Sequence, residues 1–510
     1  MCTWPKGGYF LLNDYLNKNK FPIKEYFSKG LLVSRARKNV LFKTFLIEHN
    51  VANELKYKQY RNCFNRCLKT AKRLFYEEKI DKSNCSKTAW KYLYDVLGKT
   101  KGKKSKIDEI NIENTVSSDP EQIANSFNSF FASVAQTTIA KIPSTKCKHS
   151  DFPSKEVTSQ FAFKPVDSGV VSQVLRKLEP KISCDINGFS PKLLKESSDM
   201  ILKPLTHLIN LSLTQGTFPC ELNISRTCPI FKNGCRKDVS NYHPISCLLV
   251  LSKVFEKVVF NQLYDYLLLN NILTPNQFGF QPGKSSTIHP IIHILNYIAE
   301  AFNQNKLVVA CFLDLSKAFD LINHRILLEK LKKISLNDIS IKWFSSYLSN
   351  RKMFSCVNGT LSSSFKILER SVPQGSILGP LLFLIFVNDM PLSNNLDSYL
   401  FADNTTALTS GDNIHEIGTF VNSELHKLGL WLRSNELCIN TSKTKIMVFS
   451  KNKNIGEFPL VFNYNDIDYH DGESFQPLER ITSNSPTPAI KMLGVYLDET
   501  LNPLTTIARK

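Results

Sequence analysis

Two aspartates of this 510-residue chain stand where their carboxylates could do chemistry. The apolar run 307–313 leads directly into Asp314, and Asp403 lies between two short segments rich in strand-forming residues. Carboxylates at neighbouring strand ends supply the hard oxygen ligands that two divalent cations need when they promote phosphoryl transfer to a hydroxyl group. Each residue also has a purely structural interpretation, since Asp314 could cap a helix and Asp403 could occupy an ordinary turn.

The elements that would position these acids alternate between helices and short strands. From about residue 160, apolar periodicity predicts helices near 168–178, 190–214, 252–270, 286–303, 324–333, 339–348, 377–387 and 414–434. Strands are predicted near 227–231, 307–313 and 445–449, on both sides of Asn358-Gly359, and as a hairpin around Asp403. Strands scattered among helices indicate an α+β fold.

Basic charge is concentrated near the amino-terminal end. Residues 1–150 contain 28 Lys and Arg against 13 Asp and Glu, which accounts for +15 of the formal net charge of +19. Such a region could bind nucleic acid of any sequence, because phosphate neutralisation releases condensed counterions. Between residues 55 and 75 apolar side chains recur every three or four positions, which predicts an amphipathic helix with a basic outer face. A solvated surface helix would show the same pattern. The candidate nucleic-acid-binding residues are Arg35, Arg37, Lys38, Arg61, Arg66, Lys72 and Arg73.

Composition excludes several classes of protein. A hydrophobic fraction of 42% with 21% charged residues is typical of globular proteins, and no apolar run reaches the ~18 residues that a membrane span needs. The first residues lack the pattern of a secretion signal, and the 13 cysteines are scattered without a disulfide framework or zinc-ligand spacing. We therefore expect an intracellular protein without a membrane partner, in either the nucleus or the cytoplasm.

Considered together, a series of ordered motifs resembles the reverse transcriptase of non-LTR retrotransposons, and most closely the jockey-like group. The central blocks are Phe312–Asp320, Val372–Phe383 and Phe401-Ala402-Asp403. Flanking blocks that match in order and spacing are Pro229–Gly234, Asn241–Ser246, Asn276–Phe280, Trp431–Lys445 and Leu493–Asp498. The resemblance covers about residues 225–500.

This resemblance implies an RNA-directed DNA polymerase with a right-hand fold. Its partners would be an RNA template, a DNA primer and deoxynucleoside triphosphates, and its cofactor would be two Mg²⁺ ions, with Mn²⁺ as an alternative. The oligomeric state is left open. The chain would divide into a basic helical arm and linker, a helical connector, fingers with palm, and a palm end with a truncated thumb. These four segments are residues 1–106, 107–159, 160–450 and 451–510.

The resemblance also assigns the chemistry of the metal site. Asp314 and Asp403 would hold the two metal ions, with the backbone carbonyl of Leu315 as a further oxygen ligand. Asn404 would take the next position of the catalytic hairpin. Lys443 would neutralise or protonate the departing pyrophosphate.

A second set of residues would form the nucleotide and template pocket. Phe319 would stand under the sugar of the incoming nucleotide, where an aromatic ring clashes with a 2′ hydroxyl. Gln374 and Gly375 would line the pocket, glycine because the backbone must approach the base pair closely. His243 and Gln281 occupy positions where the family usually has arginine.

Three of these positions depart from the family pattern. The family has a second aspartate where this chain has Asn404, and neither His243 nor Gln281 offers the forked donors of a guanidinium. The loss of one carboxylate should weaken metal binding and transition-state stabilisation. We interpret the chain as a truncated, partly decayed copy without the endonuclease and much of the thumb. The alternative hypothesis is a catalytically silent, retroelement-derived nucleic-acid-binding protein.

Overall fold

The computed structural model describes residues 25–48, 50–82, 92–93, 106–112, 115–283, 286–451, 461–463 and 475–501. The chain divides into two compact units, Met1–Lys106 and Ile107–Lys510. Within the predicted basic arm and linker of residues 1–106, the lysine-rich stretch 99–105 lies outside the described residues.

The described residues of the first unit include the helices α1 (Lys29–Glu48) and α2 (Val51–Asp81). The Asn50 side chain begins α2 by accepting a hydrogen bond of 2.8 Å from the backbone N–H of Ala52. Helix α2 confirms the amphipathic helix predicted between residues 55 and 75, and it buries Phe64 and Tyr76.

The second unit contains the remaining described elements. Its α-helices are α3 (Pro120–Ile139), α4 (Ser168–Lys177), α5 (Pro191–Glu196), α6 (Ser198–Gln215), α7 (Val250–Leu269), α8 (Ile288–Asn303), α9 (His324–Lys333), α10 (Asp338–Leu348), α11 (Leu378–Val387) and α12 (Ile414–Ser434). Short 3₁₀ helices lie at His149–Asp151, Cys220–Leu222, Val239–Asn241 and Met390–Ser393.

The strands of this unit are short, apart from a few central ones. They are β1 (Ile110–Ile112), β2 (Thr115–Ser117), β3 (Ile224–Phe231), β4 (Tyr242–Leu248), β5 (Leu307–Ser316), β6 (Arg351–Val357), β7 (Thr360–Leu361), β8 (Lys366–Leu368), β9 (Asp397–Phe401), β10 (Asn404–Gly411), β11 (Cys438–Ile439), β12 (Lys445–Phe449), β13 (Val461–Asn463), β14 (Phe475–Pro477), β15 (Glu479–Ile481), β16 (Ile490–Met492) and β17 (Val495–Leu497).

A six-stranded sheet lies at the centre of the second unit, with the order β15-β12-β5-β10-β9 and β11 paired to the end of β5. Alternate residues from Val308 to Leu313 project into two separate hydrophobic clusters on the two faces of the sheet. Because β5 is buried on both faces, its sequence is a continuous apolar run instead of an alternating one. In helix α11, every residue except Pro380 is buried.

A five-stranded sheet, with the order β4-β3-β6-β7 and β8 paired to β6, forms a second layer. Helix α3 packs against it, and Phe127 and Phe131 share a hydrophobic cluster with Tyr242 and Met353. Helix α3 begins after Asp119, whose carboxylate accepts a hydrogen bond of 2.9 Å from the Gln122 N–H, and Pro120 takes the first helical position.

Most elements lie where periodicity predicts them, and the mixed content confirms the α+β class. One predicted helix, 190–214, is instead two helices that meet at Ser197, whose hydroxyl donates to the Leu193 carbonyl at 2.9 Å. A serine whose hydroxyl bonds the backbone carbonyl four residues earlier weakens the helix at that point, which favours such a break. The interpretation of Asp314 as a helix cap is wrong, because Asp314 lies within β5. No helix among the described residues is both long enough and apolar enough to cross a bilayer.

Candidate active site

Asp314 and Asp403 come together at one end of the β5–β10 pair. The two strands are antiparallel, and Asn404, the first residue of β10, stands directly opposite Asp314. Partial burial raises the pKa of the Asp403 carboxyl above its ordinary value, and the negative charge of Asp314 raises it further. The strand pairing therefore places two mutually repelling acids side by side.

Asp403 lies in the two-residue turn between β9 and β10, and this turn is held from outside the hairpin. Ala402 has a left-handed backbone with φ 58°, which costs a non-glycine residue about 1–3 kcal/mol. The Gln277 side-chain oxygen accepts hydrogen bonds from the N–H groups of Ala402 at 3.1 Å and Gly279 at 2.8 Å. A Cβ at Gly279 would lie 2.3 Å from the Ala402 nitrogen, so only glycine fits there. The segment 276–280 thus fixes the turn that carries Asp403.

Lys443 reaches Asp314 from the segment that follows α12. Its Nζ lies 2.9 Å from Asp314 Oδ2, and about half of its side chain is exposed. Two backbone contacts bring the segment there: β11 pairs with the end of β5, and the Asn440 N–H donates to the Asp314 carbonyl at 2.7 Å. This placement explains why a lysine distant in sequence faces the acid.

Asp314, Asn404 and Lys443 line a cleft. Two further lysines, Lys232 and Lys317, lie near these charges, and the sequence motifs did not single them out. Partial desolvation and then the charge of Lys443 lower the pKa of Lys232, which the nearby Asp314 counteracts. Burial, followed by the charges of Lys232, Lys317 and Lys443, lowers the pKa of His243 and favours its neutral form. The cleft therefore combines two acids with three ammonium groups, an arrangement suited to a polyphosphate.

Phe319 is half-buried near this cleft and is held between two other aromatic rings. Its ring stacks on Phe383 with centroids 4.7 Å apart and meets Phe280 edge to face at 5.9 Å. Its carbonyl accepts a hydrogen bond from the Val372 N–H at 3.1 Å. The ring is thus fixed in position by packing on both sides.

Gln374 is oriented by an acid that sequence reasoning missed. Its side-chain N–H donates to Asp320 Oδ1 at 2.9 Å, and its backbone carbonyl accepts from the Ser246 N–H at 3.0 Å. Burial raises the pKa of Asp320 to about 6. Asp320 lies in the same sequence motif as Phe319, so its position was visible in the sequence. Its contact with Gln374 could not be predicted, because it joins two segments that are distant along the chain.

Gly375 has a structural requirement of its own. Its φ is 114°, and a Cβ there would lie 2.4 Å from the Ser246 carbonyl oxygen. The backbone at Gly375 therefore lies directly against β4. This close approach is enough to explain the glycine, and no contact with a base pair is needed.

Glu256 anchors the start of α11, just after the Gln374-Gly375 loop. This fully buried carboxylate accepts hydrogen bonds from the N–H groups of Ile377 at 2.6 Å and Leu378 at 3.3 Å, and from the Ser252 hydroxyl at 2.9 Å. Burial raises its pKa. Sequence reasoning missed it because a glutamate within an amphipathic helix ordinarily faces solvent.

Three other predicted residues have less direct placements. The Gln281 side chain is buried and donates to the Gln277 carbonyl at 2.7 Å, so it supports the segment 276–280. The Leu315 side chain is buried, and its backbone pairs with Ile439. Asn404 is exposed, and its amide lies 3.4 Å from Asp403 Oδ1.

The predicted nucleic-acid-binding residues all lie in the first unit. Arg37, Arg66 and Arg73 are exposed, and Arg35, Lys38, Arg61 and Lys72 are partly exposed. Several rest on aromatic rings: Lys38 lies 5.1 Å from the Phe64 centroid, and Arg61 lies 5.7 Å from that of Tyr57.

The Asp314 and Asp403 carboxylates form a small set of oxygen donors for a divalent cation. Among the described residues, no group of three or more His, Cys, Asp or Glu side chains is placed to hold a metal. Mg²⁺, however, is commonly held by one or two carboxylates together with waters and substrate phosphates. A cation would also relieve the repulsion that contributes to the raised pKa of Asp403. The residues present fit a cation that completes its coordination with substrate oxygens.

Comparison with known proteins places these features among polymerases. A family model described as "Reverse transcriptase (RNA-dependent DNA polymerase)" matches residues 230–497. The chain is 28% identical over 293 residues to the "Probable RNA-directed DNA polymerase from transposon BS" of Drosophila melanogaster, covering 55% of this chain and 32% of that protein. It is 29% identical over 297 residues to the "RNA-directed DNA polymerase from mobile element jockey" of Drosophila funebris, covering 56% and 32%. The chain spans about a third of the length of these curated relatives.

Proposed function

We propose that this chain extends a DNA primer along an RNA template with deoxynucleoside triphosphates. The chain belongs to the reverse transcriptase (RNA-dependent DNA polymerase) family. One observation carries the proposal: Asp314 and Asp403 lie at the same end of the paired strands β5 and β10, where Lys443 also meets Asp314. The printed names of the relatives, RNA-directed DNA polymerases of mobile elements, support it.

For the architecture we infer a right-hand polymerase. The six-stranded sheet with both acids would be the palm, and the five-stranded sheet with His243 would belong to the fingers. Residues 1–106 would be a basic arm and linker, 107–159 a connector, 160–450 the fingers and palm, and 451–510 the palm end and thumb segment. The β5–β10 pairing supports this division, because it unites two acids from distant parts of the chain on one sheet.

The metal site would consist of the Asp314 and Asp403 carboxylates, with the Leu315 carbonyl as a further oxygen ligand. Two Mg²⁺ ions, or Mn²⁺ in their place, would supply Lewis-acid polarisation of the phosphate and a lowered pKa of the attacking hydroxyl. The repulsion between the two acids supports this assignment.

The lysines would act on the triphosphate. Lys232 and Lys317 would neutralise phosphate oxygens, since Lys232 interacts with both acids and Lys317 adds positive charge next to Lys232 and His243. Lys443 now pairs with Asp314 Oδ2, the oxygen that a cation would compete for. Once released from that ion pair, its Nζ could hold the departing pyrophosphate or donate a proton to it.

The nucleotide pocket would use Phe319, Gln374 and Gly375. Phe319 would exclude a 2′ hydroxyl because its ring, stacked on Phe383, has no room to withdraw. Gln374 would present its remaining amide groups to the nucleotide or template, since Asp320 fixes its orientation. Neutral His243 would offer a hydrogen bond to phosphate but no charge.

The first unit would bind nucleic acid without sequence preference. Its exposed guanidinium groups would neutralise phosphates, and its aromatic side chains would offer faces for base stacking. This function is independent of catalysis.

Asn404 favours a second candidate function, a catalytically silent nucleic-acid-binding protein. Its exposed amide approaches Asp403 where a second carboxylate would add charge to the metal site. Only two carboxylates then face the cations and the triphosphate.

Primer extension on an RNA template separates the two candidates. The chain and its Asn404→Asp variant are compared with Mg²⁺ and with Mn²⁺, and primer–template binding is measured in parallel by fluorescence anisotropy. The polymerase proposal predicts extension by the variant at least ~10²-fold faster than by the chain, because a carboxylate acting on transition-state charge contributes several kcal/mol. If neither protein extends the primer while both bind it, the polymerase proposal is rejected and the silent binding protein remains.

A further inference from the structure

Three cysteines from different parts of the sequence share one face of the five-stranded sheet. In the antiparallel β3–β4 pair, Cys228 stands opposite Ile245 and Arg226 stands opposite Cys247. Paired residues project to the same face of a sheet, so both thiols and the guanidinium lie on one side. Cys356 on β6 joins them, since the preceding residues Thr227 and Ser355 are paired. All three thiols are unbridged and half-buried.

This face is open to solvent. Ile245, beside Cys228, is 47% exposed, and Ile230 on the same face is 49% exposed. A small reagent can therefore reach the thiols, in contrast to Cys311, which is buried in β5.

Arg226 provides an observation independent of the cysteines. One of its terminal nitrogens donates to the Cys184 carbonyl at 3.0 Å, but its buried Nε has no hydrogen-bond partner among the described residues. Buried donors without acceptors are rare in proteins and call for an explanation. The neighbouring Cys247 sulfur is a weak acceptor as a thiol and a strong one as a thiolate.

The charges around Cys247 favour that thiolate. A hydrogen bond from the Cys228 thiol, with the positive charges of Arg226 and Lys253, lowers the pKa of Cys247 to about 6 although burial acts against it. The same shared hydrogen bond and burial raise the pKa of Cys228, so the pair holds one thiolate near neutral pH.

We propose that Cys247 is a modification site, a reactive thiolate that takes soft electrophiles and low-molecular-weight disulfides. With a small disulfide such as oxidised glutathione, the Cys247 sulfur attacks one sulfur of the reagent and forms a mixed disulfide. The reagent's own S–S bond breaks, and its second half leaves as a thiolate that takes a proton from water. Cys228 keeps its proton and acts as a positioning residue. This inference goes beyond the proposed polymerase function and does not depend on it.

The test is the pH profile of alkylation in the folded full-length chain. Limiting N-ethylmaleimide is applied in short pulses between pH 5 and 9, and each cysteine is quantified by peptide mass spectrometry. At pH 6 we expect Cys247 to react about tenfold faster than Cys147, which is also half-buried but lies outside the cluster. This factor combines the larger thiolate fraction with the lower intrinsic nucleophilicity of a low-pKa thiol. Oxidised glutathione should give a mixed disulfide at Cys247 first.

Variants separate the causes. Arg226→Gln and Cys228→Ala should each move the midpoint of the Cys247 profile to higher pH, whereas Cys228→Ser, which keeps a donor, should move it less. Cys356→Ser is the matched control and should leave the profile nearly unchanged. Circular dichroism verifies that each variant is folded. The proposal is overturned if Cys247 in the unmodified chain follows the same profile as Cys147, or if folded Arg226→Gln reacts like the unmodified chain.

Discussion

At the scale of single residues, we propose that Phe319 selects which sugar can enter the nucleotide pocket. Its ring is stacked on Phe383 and touched by Phe280, so it has a single position. Phe319→Val should admit ribonucleotides and lower the discrimination against them by about 10- to 200-fold, the range for removing one steric contact. Single-turnover incorporation of dCTP and CTP, which differ only in the 2′ hydroxyl, measures the ratio. Phe260→Val, at a half-buried phenylalanine that stacks on Tyr264 and not on Phe319, is the control. A ratio unchanged by Phe319→Val contradicts this role.

Asp320 gives a pH dependence whose sign can be worked out. Its pKa of about 6 in the folded chain lies above the ordinary value for an aspartate, so the folded state binds the proton more tightly than the unfolded state does. Stability therefore falls as the pH rises from about 4, the ordinary aspartate pKa, to about 6, and the full penalty is present above pH 6. The isosteric Asp320→Asn should raise the thermal midpoint at pH 7.5 and raise it by about half as much at pH 5, where the unfolded carboxyl is still ionised.

Thermal denaturation of both proteins at the two pH values checks this prediction, and it requires no activity. Asp412→Asn, at an exposed aspartate just beyond β10, should show no such difference. An equal effect of Asp320→Asn at both pH values would contradict the raised pKa.

At the scale of elements, Glu256 connects α7 to the loop that carries Gln374. Its carboxylate serves two backbone N–H groups at the start of α11. Glu256→Ala leaves both donors buried without an acceptor and should destabilise the chain by about 2–4 kcal/mol. Glu256→Gln keeps one acceptor oxygen and should cost less. Urea denaturation gives the stabilities, and hydrogen exchange at Ile377 and Leu378 shows whether the loop opens. Slow exchange at both amides in Glu256→Ala would contradict the anchoring role.

Periodicity predicted those elements whose surroundings are simple. The run 307–313 indicated a doubly buried strand, and α9, α12 and β12 lie at the predicted residues. The roles of Gln277 and Gly279 could not be predicted, because their contacts with Ala402 join segments far apart in the chain. A periodic pattern reports which face of an element is buried, not which distant backbone lies against it.

At the scale of the whole molecule, the ordered motifs predicted the family, and the match over residues 230–497 confirms that resemblance. The order and spacing of the motifs also assigned Asp314 and Asp403 to one site. They did not reveal the buried acid Glu256 or the half-buried acid Asp320, because a charged side chain is expected at the surface unless its partners are known. The charge asymmetry located the basic unit but left open whether its residues bind nucleic acid.

The first unit gives a prediction that concerns the full-length protein. If it neutralises ~5 phosphates, log affinity for nucleic acid should fall with log salt at a slope of about −3.5 for single strands and about −4.5 for duplexes. Deletion of residues 1–106 should flatten that slope. A full-length variant with the seven candidate arginines and lysines changed to glutamine is the matched control and should behave like the deletion. Unchanged affinity and slope would mean that these basic residues form only a solvated helix surface and do not bind nucleic acid.

We propose that Asp314 and Asp403 form the catalytic centre of a template-directed polymerase, and single-nucleotide extension is the sharpest test of that role. The assay uses the Asn404→Asp protein, an RNA template, a DNA primer and Mg²⁺, and compares added Asp314→Asn, Asp403→Asn and Asp412→Asn changes. The first two should lower the rate by about 10²–10³-fold or more while primer–template binding stays within about twofold, because each removes a charge that acts on the reacting phosphate. Asp412→Asn, just beyond the far end of β10, should have little effect. Extension that persists in Asp314→Asn or Asp403→Asn, or that falls equally in Asp412→Asn, would contradict the account.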